Sequence, residues 1–345
     1  MIIAYILFYI FALFAEELKA KNKKVILMIT CVVLALMAGF RDIHKWGDTL
    51  AYVISFNDYT NPLGEWSSLD KPFGYSEYGF YFLGVIFKSF SSDVTAYLTF
   101  IAALTFIFMY KDFKRYCYYP LFGVCAYISR FYFARNFMQI RAGLSYAIVL
   151  WAVQYITKRD WKRYFFWVFI AYLFHQSALL AVPLYLLCLV KINKWHIIVG
   201  IIIAFILGVV FTEPIRLLVS DYATDMKVTT YVTKEYQREQ GLLNPMIYFQ
   251  LIILFAYTFN ERILKWTSPD YYTIRTAYFY STFILITLSM YTALSGRTSS
   301  MYSTLEMAII PTMINTFVKK NRIVAYIGMG IVLTLIFYLY TSGGA

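Results

Sequence analysis

The sequence predicts an all-α integral membrane protein with about twelve transmembrane helices. Of its 345 residues, 61% are hydrophobic and only 14% are charged, whereas a soluble domain usually carries about a quarter charged residues. Apolar runs long enough to form membrane helices recur from end to end, separated by short charged clusters. The segments of about ten alternating residues that are typical of a transmembrane β-barrel do not occur in this sequence.

Basic residues are concentrated in short clusters between the apolar runs. The clusters are KAKNKK (19–24), KDFKR (111–115), KRDWKR (158–163), KINK (191–194), ERILK (261–265) and KKNR (319–322). Because lysine and arginine accumulate in the cytoplasmic loops of membrane proteins, we predict that these clusters face the cytoplasm. The net charge of +12 therefore orients the chain and does not indicate a nucleic-acid partner.

Placing every basic cluster on the inner side gives a consistent series of helices within one transmembrane domain, residues 1–345. The first helix lacks a basic leading region and a small-residue cleavage site, so we predict that it is retained with its N-terminus outside. The predicted helices are residues 2–18, 25–40, 93–110, 116–132, 138–157, 163–175, 176–190, 195–212, 245–260, 272–294, 301–318 and 322–341.

Two segments need a separate argument. Residues 163–191 have a basic cluster at each end, so they cross the membrane an even number of times; two short helices hinged near His175 satisfy this condition. Residues 76–90 form a short, aromatic run with Lys88 near its end, and counting this run as a crossing would place KDFKR outside. We therefore predict an amphipathic or re-entrant segment on the outer face.

The residues best suited to chemistry lie on the predicted outer side, where two long loops, about 41–78 and 213–244, also fall. Long loops are often functional, and several ionisable groups at one membrane boundary indicate a site. The acid–base candidates are Asp48, His175 and Glu77, and the binding candidates are Arg41, Arg135, Gln139, Arg141, Arg297 and Tyr302.

The arginines favour an anionic ligand. Arg130, Arg135 and Arg141 form a predicted outer cluster without acids, and guanidinium groups bind phosphate oxygens in a bidentate manner. Arg135 and Gln139 lie four residues apart and share one face of a helix, whereas Arg141 points away from them if the helix is continuous. Arg41 follows a membrane helix and could instead extend to the interface as a structural residue.

Each remaining candidate also has a structural alternative. Asp48 can act as a base or cap a helix that begins beside it, and His175 can be an acid–base group or a hydrogen-bonded structural residue. Arg297 is predicted in a polar turn before a helix. Glu306, inside that helix, either shares a functional face with Tyr302 or pairs with an arginine elsewhere.

No metal site or cofactor motif is present in the sequence. The four cysteines have no CxxC spacing, the three histidines lie far apart, and no glycine-rich phosphate loop occurs. We therefore predict a protein without a metal or cofactor.

Several short motifs occur in a characteristic order. They are R-x(5)-G-D-T-x-x-Y (41–52), E-x-G-F (77–80), R-x(3)-Q-x-R-x-G-L (135–144), F-H-x-S-A-L (174–179) and G-R-x(4)-Y (296–302), followed by Pro311. This order resembles the EpsG family of Wzy-type polymerases of bacterial surface polysaccharides. Two positions depart from the family pattern: Tyr78 stands where proline is expected, and Gly143 where a small alanine-type residue is expected.

The resemblance implies a GT-C-like lipid-linked glycosyltransferase fold and a polymerase on the outer face of the bacterial cytoplasmic membrane. It implies transfer of a growing glycan from undecaprenyl diphosphate to a sugar hydroxyl of the next lipid-linked unit, for O-antigen, capsule or exopolysaccharide. Metal independence is expected, with membrane lipid, a chain-length regulator and a flippase as partners.

Within this reaction, we expect diphosphate or glycan binding by Arg41, Arg135, Gln139, Arg141, Arg297 and Tyr302. Asp48 is the first choice for the general base, and His175 and Glu77 are the alternatives. Two other functions remain open at this stage. A transporter or flippase of lipid-linked saccharides predicts polar residues along the middle of several helices, and a membrane acyltransferase predicts a His/Arg pair near the inner face.

Overall fold

The computed structural model describes residues 1–67, 77–210 and 241–342, and every regular element within these ranges is helical. Most of the predicted outer loop 213–244 lies outside the described residues, as does the part 68–76 of the other predicted loop. The prediction of a helical membrane protein is confirmed. The number of twelve crossings and the GT-C-like class stay predictions.

Most of the described helices follow the apolar runs of the sequence. In chain order they are α1 Ile2–Glu16, α2 Ala20–Gly39, α3 Thr49–Asp58, α4 Tyr78–Lys88, α5 Val94–Tyr116, α6 Pro120–Arg130, α7 Ile140–Thr157, α8 Trp161–Phe174, α9 Val182–Leu187, α10 Lys194–Val210, α11 Pro245–Phe259, α12 Glu261–Thr267, α13 Tyr271–Thr287, α14 Thr292–Ser303, α15 Glu306–Thr312 and α16 Arg322–Ser342.

Three described helical segments are long and apolar enough to cross a membrane. They are Ala20–Gly39, Val94–Tyr116 and Lys319–Ser342, and shorter apolar helices accompany them. The chain divides into two compact units. The first unit comprises Met1–Val182 and Glu306–Ala345, and the second comprises Pro183–Leu305. The single transmembrane domain over residues 1–345 stays a prediction.

The first unit is built around α5, which packs against both α2 and α7. Helices α2 and α5 run antiparallel and approach closely where α2 ends. A Cβ atom added to Gly39 would lie only 2.1 Å from Oγ1 of Thr99. Only glycine therefore allows this close contact between the two backbones.

Both segments that needed a separate argument form short helices. A break at His175 separates α8 from a 3₁₀ helix, Gln176–Ala181, which leads into α9, so the predicted hinge is confirmed. The segment predicted over residues 76–90 contains α4, which lies against α8: a Cβ on Gly79 would meet the backbone of Leu173 at 2.6 Å.

The predictions for the region around Arg297 were wrong. The predicted helix 272–294 ends at Thr287, and the predicted polar turn forms α14 instead. Hydroxyl groups along α14 donate to backbone carbonyls one turn earlier, as Thr298 Oγ1 does to Leu294 O at 2.7 Å. Such bonds satisfy the polar side chains within the helix itself. The predicted helix 301–318 is consequently divided between α14, α15 and a short 3₁₀ helix.

Candidate functional site

Arg41 lies just beyond the end of α2 and is buried, with 7% of its surface exposed. Its Nε donates to Thr49 Oγ1 at 3.0 Å, and its Nη1 donates to the carbonyl oxygens of Ala38 (2.7 Å) and Asn136 (3.1 Å). Thr49 Oγ1 in turn donates to Phe137 O at 2.7 Å. The start of α3 and the segment before α7 are thus joined through one guanidinium group.

The hydrogen-bond acceptors of Arg41 are all neutral, and the charge is only partly satisfied. Its Nη2 has no hydrogen-bond partner among the described residues. Removal from water lowers the pKa of Arg41 to about 10. A buried cation with an unused donor is costly in the absence of an anion, and this makes Arg41 a candidate for binding an anionic ligand.

Arg135 and Arg141 are not on one continuous helix. Arg135 lies in a π-helix, Ala134–Met138, and Gln139 breaks the helical path with φ −95° and ψ 55° before α7 begins. The sequence analysis allowed these arginines to converge only if the helix starts late, and α7 does start after Gln139. π-Helical turns of this kind often occur at functional sites.

Arg135 is buried and oriented by its neighbours. Its Nη1 donates to Gln139 Oε1 at 3.0 Å, and its guanidinium lies 4.3 Å from the centroid of the Tyr146 ring. The backbone of Arg135 also explains one departure from the family pattern. A Cβ on Gly143 would lie 2.3 Å from Arg135 O, so alanine does not fit at this position without a backbone shift.

Arg141 forms an ion pair with Glu77, which immediately precedes α4. The Arg141 guanidinium also lies 5.8 Å from the centroid of the Tyr52 ring, on α3. Burial raises the pKa of Tyr52, and Arg141 partly offsets this increase. The charges of Asp48 and Glu77 also raise the pKa of Tyr52.

The prediction of an acid-free arginine cluster was wrong. Arg141 is paired with Glu77, and Arg130 is paired with Glu306, which begins α15. Both glutamates come from chain segments distant in sequence. For Glu306, the structural alternative of an ion pair with an arginine on another helix is confirmed.

His175 closes a second network at the end of α8. Its Nδ1 accepts the backbone N–H of Ser177 at 3.2 Å and lies 2.6 Å from Ser177 Oγ. Ser177 Oγ donates to Tyr146 Oη at 2.9 Å, which connects His175 to the ring beneath Arg135. Accepting the backbone N–H at Nδ1 places the proton of the neutral ring on Nε2.

Asp48 occupies the N-cap position of α3 but does not act as a helix cap. Its side chain is exposed and makes no capping hydrogen bond, so the capping alternative does not apply. Arg41, Asp48, Glu77, Arg135, Gln139, Arg141 and His175 all lie in the first unit, where α2 and α8 end and α3, α4 and α7 begin.

Arg297 and Tyr302 belong to the second unit, on α14. Arg297 is exposed, and its carbonyl oxygen accepts the hydroxyl of Ser300 at 2.8 Å. Tyr302 is buried, with its ring centroid 6.1 Å from that of Tyr280. The binding roles of all these residues stay predictions.

Several residues of the site were missed by the sequence analysis. Tyr52, Thr49 and Ser177 lie inside the motifs quoted above, so their positions there were an available signal. Tyr146 and Asn136 gave no such signal, because an aromatic or amide side chain within a helical segment is usually structural. Among the described residues, no three His, Cys, Asp or Glu side chains are grouped to hold a metal ion.

The buried arginines and the acid–base groups on an apolar helical scaffold define an integral membrane protein with a candidate anion site. The chain belongs to the EpsG family, whose model matches residues 24–345, and this is a family of Wzy-like polymerases. The family indicates a polysaccharide polymerase-like function. No curated protein and no solved structure matches the chain.

Proposed function

We propose that this protein polymerises lipid-linked oligosaccharide units on the outer face of the bacterial cytoplasmic membrane. A sugar hydroxyl of the incoming unit loses its proton to a base and attacks the anomeric carbon of the growing chain. The bond between that carbon and undecaprenyl diphosphate breaks, and the diphosphate leaves with the electron pair. One glycosidic bond forms for each bond broken, and no metal or other cofactor takes part.

The observation that carries this proposal is the family match over nearly the whole chain. The geometry supports it independently, because the leaving diphosphate needs cations in a site of low dielectric constant. Arg41 supplies a buried guanidinium with an unused N–H group, and Arg135 supplies a second guanidinium positioned by Gln139 and Tyr146. Both are suited to phosphate oxygens.

Arg141 has a different role in this proposal. Its charge is balanced by Glu77, so it contributes less to diphosphate binding than Arg41 or Arg135. The pair instead fixes Tyr52 and the start of α3, where Asp48 lies. Arg297 and Tyr302, in the second unit, are proposed to bind the diphosphate and glycan of the substrate.

Asp48 is the proposed general base. The carboxylate of Glu77 is engaged by Arg141, and Nδ1 of His175 is engaged by Ser177. The carboxylate of Asp48 is exposed and has no capping bond to lose. His175 is better suited to donate a hydrogen bond from Nε2 to a glycan or diphosphate oxygen than to accept the hydroxyl proton.

The direct test uses the purified protein in proteoliposomes with an undecaprenyl-diphosphate-linked repeat unit labelled in its glycan. We expect a ladder of longer lipid-linked glycans and release of undecaprenyl diphosphate, one for each bond formed. Labelled lipid that crosses the bilayer without growth of the glycan would refute the proposal in favour of a transporter. Transfer of an acyl group to the glycan would refute it in favour of an acyltransferase. A chain-length regulator and a flippase are proposed as partners in the cell.

A further inference from the structure

A long apolar groove lies between α2 and α5 of the first unit, and none of the candidate site residues described above lines it. Its volume is about 650 Å³, within the range of ligand-binding pockets. Its walls include Met28, Val32 and Leu36 of α2, Ala103 and Ile107 of α5, and Trp151 of α7. Hydrocarbon is the ligand chemistry that such walls accommodate.

One end of this groove is cationic. Lys111, Lys114 and Arg115 line it, and none of the described residues that line the groove is acidic. The ammonium group of Lys111 lies 5.1 Å from the ring centroid of Phe108 and 5.3 Å from that of Trp151. The neighbouring Asp112 is fully buried and does not line the groove.

The cationic end is at the opposite end of α2 from Arg41. Helices α2 and α5 are antiparallel, so the groove extends from Thr99, beside the end of α2, to Arg115. This span corresponds to roughly 24 Å along a helix. One leaflet accounts for about half of the hydrocarbon core, which is about 30 Å thick, so the groove is longer than one leaflet is deep. An acyl chain could therefore follow the groove through one leaflet while its headgroup stays beside the lysines.

We propose that this groove binds an anionic diacyl phospholipid of the cytoplasmic leaflet. Its acyl chain lies along α2 and α5, and its phosphate contacts Lys111, Lys114 and Arg115. These residues belong to a basic cluster that is predicted to face the cytoplasm. The cytoplasmic leaflet contains anionic lipids, and basic pockets between helices on that side bind anionic headgroups. The site is distinct from the proposed polymerisation site, so either proposal can fail while the other holds.

The test is native mass spectrometry of the full-length protein with phosphatidylglycerol, phosphatidylcholine or undecaprenyl phosphate as the probe. We compare wild type with Lys111→Gln/Lys114→Gln and with Ala103→Phe, which fills the apolar part of the groove. The matched control is Lys319→Gln/Lys320→Gln, which removes the same charge from exposed lysines outside the groove. Circular dichroism and size-exclusion chromatography confirm that each variant is folded.

We expect phosphatidylglycerol to bind wild type and the control equally well, and phosphatidylcholine to bind more weakly. Each lysine removed from the groove should weaken binding about fivefold, giving roughly 25-fold for the double variant. The Ala103→Phe variant should also bind less phosphatidylglycerol. The proposal is overturned if the Lys111→Gln/Lys114→Gln variant binds phosphatidylglycerol as well as wild type does, or if the control loses as much binding as this variant. It is also overturned if wild type prefers phosphatidylcholine or undecaprenyl phosphate to phosphatidylglycerol.

Discussion

The ion pair between Glu77 and Arg141 should make a large, non-additive contribution to stability. The Glu77 side chain is only 6% exposed and that of Arg141 is 16% exposed, so neither charge is well solvated without its partner. Removing one partner of a buried pair typically costs about 3–5 kcal/mol. We expect about 3 kcal/mol for Glu77→Gln or Arg141→Gln alone.

The double variant should lose much less than the sum of the single variants, because no unpaired charge remains in the site. We expect a coupling energy of about 2–3 kcal/mol from a double-mutant cycle measured by chemical denaturation in mixed micelles. Arg163 and Asp160 provide the control, because their side chains are 70% and 32% exposed and both charges stay partly solvated. Their coupling, measured with Arg163→Gln and Asp160→Asn, should stay below about 1 kcal/mol. Additive effects at Glu77 and Arg141 would refute the reasoning.

Three further predictions concern single positions. Arg41→Gln should lower the initial rate of polymerisation roughly 10- to 100-fold through the loss of a charge-assisted hydrogen bond. Arg41→Lys should restore only part of the rate, because lysine lacks the planar guanidinium group. Equal rates in wild type and both variants would contradict the proposed role of Arg41 in diphosphate binding. Gly143→Ala should lower the free energy of unfolding by about 1–3 kcal/mol, because the added Cβ atom would meet Arg135 O. Gly47→Ala is the control: its added Cβ atom would have its nearest neighbour at 4.0 Å, so the free energy of unfolding should change by less than about 0.5 kcal/mol. Equal effects of the two substitutions would argue against the close contact at Gly143. Tyr78→Pro should be neutral or stabilise the protein by about 0.4–1 kcal/mol in thermal unfolding, because α4 begins at this residue and the preceding residue is extended. Tyr81→Pro, which loses the hydrogen bond from Tyr81 N to Glu77 O, should cost about 3 kcal/mol. A severe loss of stability from Tyr78→Pro would show that α4 begins earlier.

The other departure from the family pattern, Tyr78 in place of proline, is accounted for by the backbone at the start of α4. Glu77 has φ −85° and ψ 104°, an extended conformation that suits the residue before proline, and Tyr78 is the first residue of α4. Proline is therefore compatible with this position but not required by it. Gly143 is the opposite case, since the close approach of Arg135 O excludes a side chain.

Hydropathy and charge predicted much of the helical framework because they are local signals. The break at His175 followed from basic clusters at both ends of one apolar run. Helix α14 was missed because its serines and threonines read as a turn, although their hydroxyl groups bond to the helix backbone. The π-helix before α7 was also missed, because one additional residue per turn has no clear signature in composition or periodicity.

The candidate site was predictable in its members but not in its pairings. Charged residues at predicted outer helix ends identified Arg41, Asp48 and Arg135 as candidates. Spacing along one helix could not show that Glu77 and Glu306 approach Arg141 and Arg130 from distant segments. Such long-range pairs depend on how the helices pack, which a single sequence does not specify.

The central claim is that Asp48 takes the proton of the acceptor hydroxyl at a site lined by buried arginines. Its most direct test is the initial rate of glycan polymerisation by Asp48→Asn in proteoliposomes. The control is Asp58→Asn, which changes an exposed aspartate at the other end of the same helix. We expect a loss of about 10²- to 10⁴-fold for Asp48→Asn and a rate within about twofold of wild type for Asp58→Asn. Polymerisation by a folded Asp48→Asn variant at the wild-type rate would contradict the account.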